Sequence, residues 1–297
     1  CRRVRPNTIE KPGDCPPFTR IRKRIFVLSV CFFVKKKSFM IVDFTMTNLS
    51  LKKWKVEEMV EHPVIFVAAK RRSGKSVLIK EIMYRLRDRF FCGMVQSATE
   101  CSNKFYQQFV PECLIFHDFN ENAINNLINN QLKEVERGTA KSVFLILDDC
   151  AFDKKTMNSK TMKRLLYNGR HSKITFICAI QYILDIEPSI RSNIDYFVTM
   201  KENIFVDKLY KNFFSFVGSQ KVFGTILDAA TQKYGCLILD NASHASYPNN
   251  IYWYRAAYDP NLKFKLCHSI FWKVDDDKKR KLKMRTKKKS ANGVRLL

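Results

Sequence analysis

Residues 66–82, FVAAKRRSGKSVLIKEI, contain the segment that decides the fold. Within them, AKRRSGKS matches the phosphate-binding loop pattern G-x-x-x-x-G-K-[ST], except that Ala69 takes the place of the first glycine. The apolar run PVIFVAA precedes the loop and predicts a buried strand. SVLIKEIMYRLRDRF follows it, with the apolar spacing of one helix face. This strand–loop–helix order is the context in which such a loop binds a nucleotide.

The chemistry of the loop assigns roles to its residues. Successive backbone N–H groups would curl around a β-phosphate at the start of the helix. Lys75 would reach the β- and γ-phosphates, and the hydroxyl of Ser76 would ligate Mg²⁺. We therefore predict a nucleotide site formed by nine residues: Ala69, Lys70, Arg71, Arg72, Ser73, Gly74, Lys75, Ser76 and Val77.

Two residues depart from the glycine-rich form of the loop. Ala69 stands at the loop's entry rather than at the closest approach to phosphate, so alanine costs little if its φ is negative. Arg72 stands where many such loops have another glycine, and we expect the loop to bend there without a positive φ. Gly74, directly before the lysine, is kept, so the loop can still close.

The rest of the chain predicts an α/β fold. From residue 63 onward, short apolar runs alternate with helical patterns, which favours a central, mostly parallel sheet flanked by helices on both faces. Strands are predicted in PVIFVAA, FFCGMVQS, CLIFH, SVFLILDD, KITFICAI, YFVTM, GCLILD and IYWYRA. Helices are predicted in NENAINNLINNQLKEVERG and KTMNSKTMKRLLYNG, besides the one after the loop. We predict a RecA-like P-loop NTPase fold in which the loop strand and the strand SVFLILDD are not adjacent.

The positive charge is concentrated at the two ends of the chain. The formal net charge is +25, of which residues 1–39 carry +9 and residues 278–297 carry +10. A charge of this size predicts a polyanionic partner. The basic C-terminal end would hold DNA nonspecifically, act as a nuclear localisation signal, or be a solvated tail without either role.

Composition divides the chain into three parts. Residues 1–45 are interpreted as a basic extension that need not be native, with Met40 and Met46 as candidate starts. Residues 46–272 form the P-loop domain. Residues 273–297 are predicted to be a disordered basic tail, because they cannot build a core.

Two further classes of site are not expected. The ten cysteines include no Cys-x-x-Cys pair, which predicts buried, reduced thiols in an intracellular protein. The N-terminal run RIFVLSVCFFV is shorter than the roughly 20 apolar residues that a spanning helix needs. We therefore predict no membrane span.

Two adjacent acids end the apolar run VFLILDDC. Such a run followed by an acid forms a Walker B strand, in which Asp148 would hold Mg²⁺ through water. Asp149 is interpreted as the general base that activates water, with a helix cap or a solvated loop acid as the alternative. Gln181 ends KITFICAIQ at the carboxyl end of a predicted parallel strand, where it could contact the γ-phosphate or position the attacking water.

Four segments, FVAAKRRSGKSVL, FLILDDC, NGRHSKITFICAIQY and PSIRSNIDYFV, together resemble the DNA-packaging ATPases of large nucleocytoplasmic DNA viruses. This poxvirus-type family belongs to the FtsK–HerA superfamily of DNA-pumping motors. The resemblance covers roughly residues 50–256, including TQKYGCLILDN and IYWYRA. It implies that Lys75 and Ser76 form the Walker A pair, and that Gln181 is a sensor. It likewise implies that Asp148 and Asp149 are the Walker B acids, although the wider superfamily more often has glutamate at the second position.

The resemblance also implies an arginine finger. Arg170 matches the position from which FtsK-like proteins supply an arginine to a neighbouring subunit. Such a finger would stabilise charge on the transferred phosphoryl group. Arg191, in IRSN, is the competing candidate, and a helix-end residue is the alternative interpretation of Arg170.

These observations predict an ATP- and Mg²⁺-dependent motor that moves double-stranded viral DNA into a preformed capsid. We expect it to act as a homo-oligomeric ring docked on a capsid or portal-like component. Its expected location is the cytoplasmic virus factory of the host cell or the virion, with the nucleus as an alternative. The alternatives in function are a helicase-type ATPase, a P-loop kinase and a non-catalytic DNA-binding scaffold.

Overall fold

The computed structural model describes residues 35–36, 39–44, 47–150, 154–181 and 187–293. Its strands, in chain order, are β1 Lys35–Lys36, β2 Phe39–Phe44, β3 Thr47–Lys53, β4 Val64–Ala68, β5 Cys92–Ser97, β6 Ile115–Phe116, β7 Val143–Asp148, β8 Ile174–Ile180, β9 Tyr196–Thr199, β10 Cys236–Asp240 and β11 Ile251–Tyr254. Its helices are α1 Lys75–Arg85, α2 Glu100–Asn103, α3 Glu121–Glu136, α4 Lys154–Met157, α5 Lys160–Asn168, α6 Pro188–Arg191, α7 Val206–Leu209, α8 Gln220–Ala230 and α9 Ser269–Gly293.

One sheet contains all of these strands, in the order β1-β2-β3-β11-β10-β9-β4-β8-β7-β5-β6. The six strands from β9 to β6 in this order are mutually parallel. β10 pairs antiparallel with both β9 and β11, so the sheet is mixed at this side. Strand β8 separates β7 from β4, which confirms that the strand SVFLILDD is not adjacent to the loop strand. The predicted mostly parallel α/β fold is confirmed.

Both faces of the sheet are buried, as the unbroken apolar runs predict. On one face, Phe66 and its alternate neighbours on β4 pack into a core shared with α3, α5 and α8. On the other face, Ile65 and Val67 pack into a second core with α1, which contributes Leu78 and Ile82. Residues of a strand alternate between its two faces, so a helix layer on each face is needed to bury the whole run.

Two segments differ from the sequence-based expectations, and a third lies outside the described residues. The single helix predicted in KTMNSKTMKRLLYNG is divided into α4 and α5, because the Ser159 side chain caps α5 by accepting a hydrogen bond from the Met162 N–H (3.3 Å). Strands β1 and β2 join the sheet through β3, so the sheet begins before residue 46, where the sequence places the domain boundary. Residues 1–34 of the predicted extension lie outside the described residues.

Helix α9 runs through most of the segment that the sequence predicts to be a disordered tail. Its first turns dock on the domain, where the Trp272 indole donates to the Leu266 carbonyl at 2.7 Å. The buried Asp275 carboxylate accepts the backbone N–H groups of Glu112 and Cys113. The helix therefore begins on a packed surface before it enters the basic sequence, whose disorder in solution stays a prediction.

Membrane and thiol features can be compared with the expectations over the described residues. No helix among them combines the length and the apolar character that crossing a membrane requires. Each cysteine in the same part of the chain carries a free thiol, and Cys150, Cys178 and Cys236 are buried. Burial raises the pKa of the Cys150 thiol to about 12, so this thiol stays protonated near neutral pH.

Candidate nucleotide-binding site

The phosphate-binding loop connects β4 to α1 at the carboxyl end of the parallel strands. Ser73 closes a turn within the loop by donating its hydroxyl to the Lys70 carbonyl (2.6 Å). Helix α1 begins at Lys75, and its first N–H groups have no partner within the helix. Unpaired N–H groups at a helix start favour an anion. The local structure is therefore that of a loop prepared for phosphate.

Two residues of the loop adopt left-handed backbone conformations. Gly74, directly before α1, has a φ of 98°, and Arg72 has a φ of 60°. The expectation that the loop bends at Arg72 without a positive φ was wrong. Left-handed residues that alternate with right-handed ones turn consecutive N–H groups toward the same concavity, and such an arrangement is an anion nest. The positive φ values of Arg72 and Gly74 suit such a nest, and contacts around the loop must offset the steric cost at the non-glycine residue.

The surroundings of Ala69 explain why the loop can have alanine in place of its first glycine. Its side chain is buried in the core that also contains α1, and its φ is not positive. Its N–H donates to the Ile180 carbonyl at the end of β8 (2.9 Å). A methyl group at this position is therefore a core contact and does not obstruct the loop.

Lys75 contacts both acids at the end of β7. Its ammonium lies 3.1 Å from Asp148 Oδ1 and donates a hydrogen bond to Asp149 Oδ1. The Lys75 side chain is only 8% exposed, so solvent screens these ion pairs weakly. The structure thus brings Lys75 into contact with two acids that lie 73 and 74 positions further along the sequence.

Asp148 has a second partner that the sequence did not reveal. The Tyr106 hydroxyl donates to Asp148 Oδ2 at 2.9 Å, and both side chains are buried. Tyr106 is itself fixed by Glu100, whose carboxylate accepts the N–H groups of Tyr106 (3.0 Å) and Gln107 (2.9 Å). Burial raises the pKa of the Asp148 carboxyl, and the nearby positive charge of Lys75 opposes this effect.

Asp149 stands on a strained backbone between Lys75 and Gln181. Its φ is 54°, and its N–H donates to the Ala179 carbonyl of β8 at 3.2 Å. The Gln181 carboxamide donates to Asp149 Oδ2 at 2.7 Å. The two oxygens of this carboxylate are thus held by Lys75 and Gln181, one each.

A cavity of about 980 Å³ opens above the loop. This volume lies at the upper end of the range usual for ligand pockets. Its lining combines the loop and the start of α1 with four other parts of the chain: Lys70, Arg71, Arg72, Gly74, Lys75, Ser76, Val77, Thr99, Asn103, Asp149, Lys233, Tyr234, Arg255, Ala256, Ala257 and Tyr258. Most of its charged side chains are cationic, which suits a polyphosphate ligand.

Two features of the described residues fit a Mg²⁺ ion bound together with a nucleotide. Asp148 Oδ1 is buried and accepts no hydrogen bond, although it lies in the ion pair with Lys75. The Ser76 hydroxyl belongs to a residue that lines the same cavity. No group of three or more His, Cys, Asp or Glu in the described part of the chain could hold a metal by itself. Phosphate oxygens and water would therefore supply the remaining ligands.

The two arginine-finger candidates lie away from the cavity of their own chain. The Arg170 guanidinium contacts Asp195 Oδ1, while Asp195 Oδ2 accepts the Val64 N–H at 2.8 Å, which places Arg170 at the amino ends of the strands. The seven residues of β8 span about 20 Å, so Arg170 cannot reach its own loop. Arg191 donates to Asn212 Oδ1 at 2.5 Å.

Several residues at or near the cavity were not predicted from the sequence to belong to the site. Tyr234 lies in TQKYGCLILDN and Arg255 in IYWYRA, two segments that contributed only to the family resemblance. The IYWYRA aromatics of β11 are largely buried, as expected for a sheet strand. Tyr106 carries no motif at all, because its role depends on a contact across 42 residues.

The fold and the loop define the class of this protein as a P-loop NTPase fold with a central, mostly parallel sheet. Within that class, the chain belongs to the Poxvirus A32 protein family, whose family model matches residues 51–273. The family resemblance stated from the sequence motifs is thereby confirmed.

Relatives with similar sequences are proteins of large DNA viruses. The chain is 33% identical over 214 residues to uncharacterized protein 015R of Frog virus 3, a match that covers 70% of this chain and 66% of that protein. It is 31% identical over 222 residues to uncharacterized protein L437 of Acanthamoeba polyphaga mimivirus, covering 70% and 78%. The chain thus spans just under two thirds of the first relative and more of the second.

Solved structures with a similar fold include a viral NTPase. The crystal structure of B204, the DNA-packaging ATPase from Sulfolobus Turreted Icosahedral Virus, has a TM-score of 0.51 and 18% identity, covering 67% of this chain and all of that one. The genome packaging NTPase B204 of Sulfolobus turreted icosahedral virus 2, in complex with sulfate, has a TM-score of 0.50 and 17% identity, covering 68% and 98%. At this identity the likeness concerns the fold.

Proposed function

We propose that this protein is an ATP-driven motor that translocates double-stranded viral DNA into a capsid. The observation that carries the proposal is the cluster at the end of β7 and β8. There, the Lys75 ammonium contacts Asp148 and Asp149, and Asp149 also accepts a hydrogen bond from Gln181. Lys75 and Asp149 line the cavity together with the phosphate-binding loop. Membership in the Poxvirus A32 family and a fold shared with B204 support the coupling of this site to genome packaging.

Each residue of the cluster has a distinct role in ATP hydrolysis. The loop N–H groups and the Lys75 ammonium would bind the β- and γ-phosphates. Because Lys75 now pairs with Asp148 and Asp149, an entering triphosphate would compete with these carboxylates for the ammonium. Release from Lys75 leaves Asp149 free to accept a proton from water, with Gln181 orienting its other oxygen.

Ser76 and Asp148 are the residues that would hold a Mg²⁺ ion. A bound Mg²⁺ would polarise the phosphate oxygens and offset their charge. Tyr106 already occupies Asp148 Oδ2, so Oδ1 is the oxygen that remains available. The tyrosine thus orients the carboxylate, and Oδ1, which now faces the Lys75 ammonium, would turn to the ion once Lys75 binds phosphate.

The DNA, the ring and the capsid belong to the same proposal. The mainly cationic body and ends suit contact with the duplex backbone, which a motor needs because it moves any sequence. The Arg170 side chain is 57% exposed at the sheet edge opposite the cavity. If Arg170 is the finger, it would serve the cavity of a neighbouring subunit, and the active form would be a ring. We place the motor in the virus factory or the virion.

The test is ATP hydrolysis with and without long duplex DNA, on wild type and Lys75→Ala. Wild type should hydrolyse ATP faster with DNA, and Lys75→Ala should lose about 100-fold or more of the rate. Lys80→Ala is the matched control, because Lys80 lies on the same helix but does not line the cavity. Circular dichroism should show an unchanged fold in both variants.

The alternatives give different outcomes in the same assays. Full hydrolysis by Lys75→Ala would contradict the site, and hydrolysis indifferent to DNA would contradict the motor. A helicase-type ATPase would separate the strands of a duplex. A P-loop kinase would be stimulated by a small phosphoryl acceptor more than by DNA, and a non-catalytic scaffold would bind DNA with or without ATP.

A further inference from the structure

The cavity extends beyond the part that a triphosphate would occupy. Two short segments outside the loop, Lys233–Tyr234 and 255–258 with the sequence RAAY, also line it, and the part of the cavity that they line is called the far half here. These segments lie on opposite sides of β10 and β11 in the chain, and neither belongs to the phosphate-binding loop. Two tyrosines and two alanines in these segments give this part of the wall aromatic and apolar surface, which phosphate does not match.

The first segment presents a tyrosine to the loop on a strained backbone. Tyr234 is 69% exposed, yet its Cδ1 and Cβ atoms lie 3.6 and 3.7 Å from where a Cβ on Gly74 would be. Lys233 and Tyr234 have consecutive φ values of 51° and 62°. Two successive left-handed residues without glycine are costly, and such strain concentrates at ligand sites. An exposed aromatic ring is thus held beside the loop at an energetic cost.

The second segment is tied to the helix that carries Lys75. The buried Glu81 of α1 accepts hydrogen bonds from the Tyr254 hydroxyl at 2.8 Å and from the Ala257 N–H at 2.5 Å. Arg85 donates a third hydrogen bond to the Glu81 carboxylate, at 2.9 Å. The backbone of the second segment is therefore fixed relative to the phosphate-binding helix, and the side chains of Ala256 and Ala257 take little space from the cavity.

We propose that this far half is a nucleobase subsite that binds its ligand by stacking and does not discriminate between adenine and guanine. This inference rests on the proposed nucleotide site and specifies its ligand. Tyrosine rings and alanine methyl groups offer flat apolar surface, which suits the face of any base.

The absence of base readout follows from the side chains that are present. Neither segment contains a carboxylate, a carboxamide or an aliphatic hydroxyl that could read the 6-substituent of a purine. Elsewhere in the lining, the Asn103 carboxamide is already engaged, because it donates to the Thr99 hydroxyl at 3.4 Å and accepts the Phe105 N–H at 3.1 Å. Lys233 and Arg255 are cationic and better suited to phosphate and ribose oxygens. Strong discrimination requires a polar group that is left unpaired by the wrong ligand. ATP and GTP should therefore bind with dissociation constants within about 5-fold of each other.

The test compares nucleotides with inorganic tripolyphosphate on wild type and Tyr234→Ala. Competition against a fluorescent ATP analogue gives the three dissociation constants for each variant. Loss of the ring should weaken ATP and GTP by about 5- to 10-fold, the low end of what one stacking contact contributes, because Tyr234 is exposed. Tripolyphosphate lacks a base, so its affinity should change by less than about 2-fold. Tyr234→Phe keeps the ring and should bind like wild type.

Two further variants distinguish a loss of base binding from a general loss of ligand affinity. Ala257→Trp should fill the far half and weaken both nucleotides without weakening tripolyphosphate. Tyr167→Ala removes an exposed tyrosine on α5 that does not line the cavity, and it should change nothing. Unchanged ATP affinity in Tyr234→Ala would overturn the subsite while leaving the nucleotide site intact. A wild type that binds neither nucleotide nor tripolyphosphate would overturn the proposed function as well, and a 50-fold preference for ATP over GTP would overturn the absence of base readout.

Discussion

Replacing Tyr106 with phenylalanine removes one O–H group from a buried network and leaves the ring in place. The ring packs against Phe105 and Phe109 with centroid distances of 5.2 and 5.7 Å, so its contacts should survive. The lost hydrogen bond, 2.9 Å long, ends on the carboxylate of Asp148, which is 3% exposed. Burial and the negative charge of Asp148 raise the pKa of Tyr106 well above its ordinary value, so the hydroxyl is a donor throughout the neutral range.

The expected magnitude follows from the charge and the burial of the acceptor. A hydrogen bond to a charged group contributes about 1.5–3 kcal/mol, and water cannot replace it at a buried oxygen. We expect Tyr106→Phe to lower the free energy of unfolding by about 2 kcal/mol. For a domain of this size, that corresponds to a fall in Tm of about 4–8 °C. Urea unfolding followed by circular dichroism measures the difference.

A double-mutant cycle with Asp148→Ala identifies the source of the loss. Without the carboxylate, the Tyr106 hydroxyl is a buried donor with no partner, so its removal should be neutral or slightly stabilising. The interaction energy of the pair should therefore be about 2 kcal/mol. If Tyr106→Phe is equally destabilising in both backgrounds, the hydroxyl does not act through Asp148 and the reasoning fails.

Three other predictions concern single residues. Asp149→Asn should keep ATP affinity and the fold, because asparagine tolerates a φ of 54°, but should lose about 100-fold or more in single-turnover hydrolysis; normal turnover would exclude Asp149 as the base. Gly93→Ala should lower stability by about 1–3 kcal/mol in urea unfolding, because its Cβ would lie 2.4 Å from the Phe144 ring. The control Gly224→Ala, in open space within α8, should raise it by about 1 kcal/mol, and equal effects would refute the packing argument. Arg72→Gly should be neutral or stabilising by up to ~1 kcal/mol in thermal denaturation, because glycine adopts a positive φ without strain. Arg72→Val should lose stability, because its branched side chain is strained there, and an equal loss in Arg72→Gly would show that φ does not limit this position.

The elements that could be predicted from the sequence are those encoded by local patterns. Unbroken apolar runs identify β4, β7 and β8 because each buries both faces of a strand. The proximity of Asp149 and Gln181 also follows, because neighbouring parallel strands end at the same edge of the sheet. What a motif cannot encode is a contact between distant elements. Tyr106 reaches Asp148 only because the chain after β5 folds back over the end of β7.

Backbone strain is the other feature that local sequence could not predict. The sequence suggested a negative φ at Arg72, but the structure places it in the left-handed region. A propensity argument compares a residue with its average environment, whereas here the surrounding nest determines the conformation. The local sequence around Arg72, a basic residue where such loops often have glycine, therefore does not indicate the turn that the backbone makes there.

The distribution of this strain connects the fold to the site. Among the described residues other than glycine, Arg72, Asp149, Lys233 and Tyr234 have positive φ values and line the same cavity. Each such residue lowers stability by about 1–3 kcal/mol, so it persists only where surrounding contacts determine the backbone conformation. The four come from three separate segments, so no single loop explains their convergence. Because the packed sheet and α1 hold all three segments in place, the cavity keeps its shape before any ligand enters, and binding energy need not be spent on ordering it.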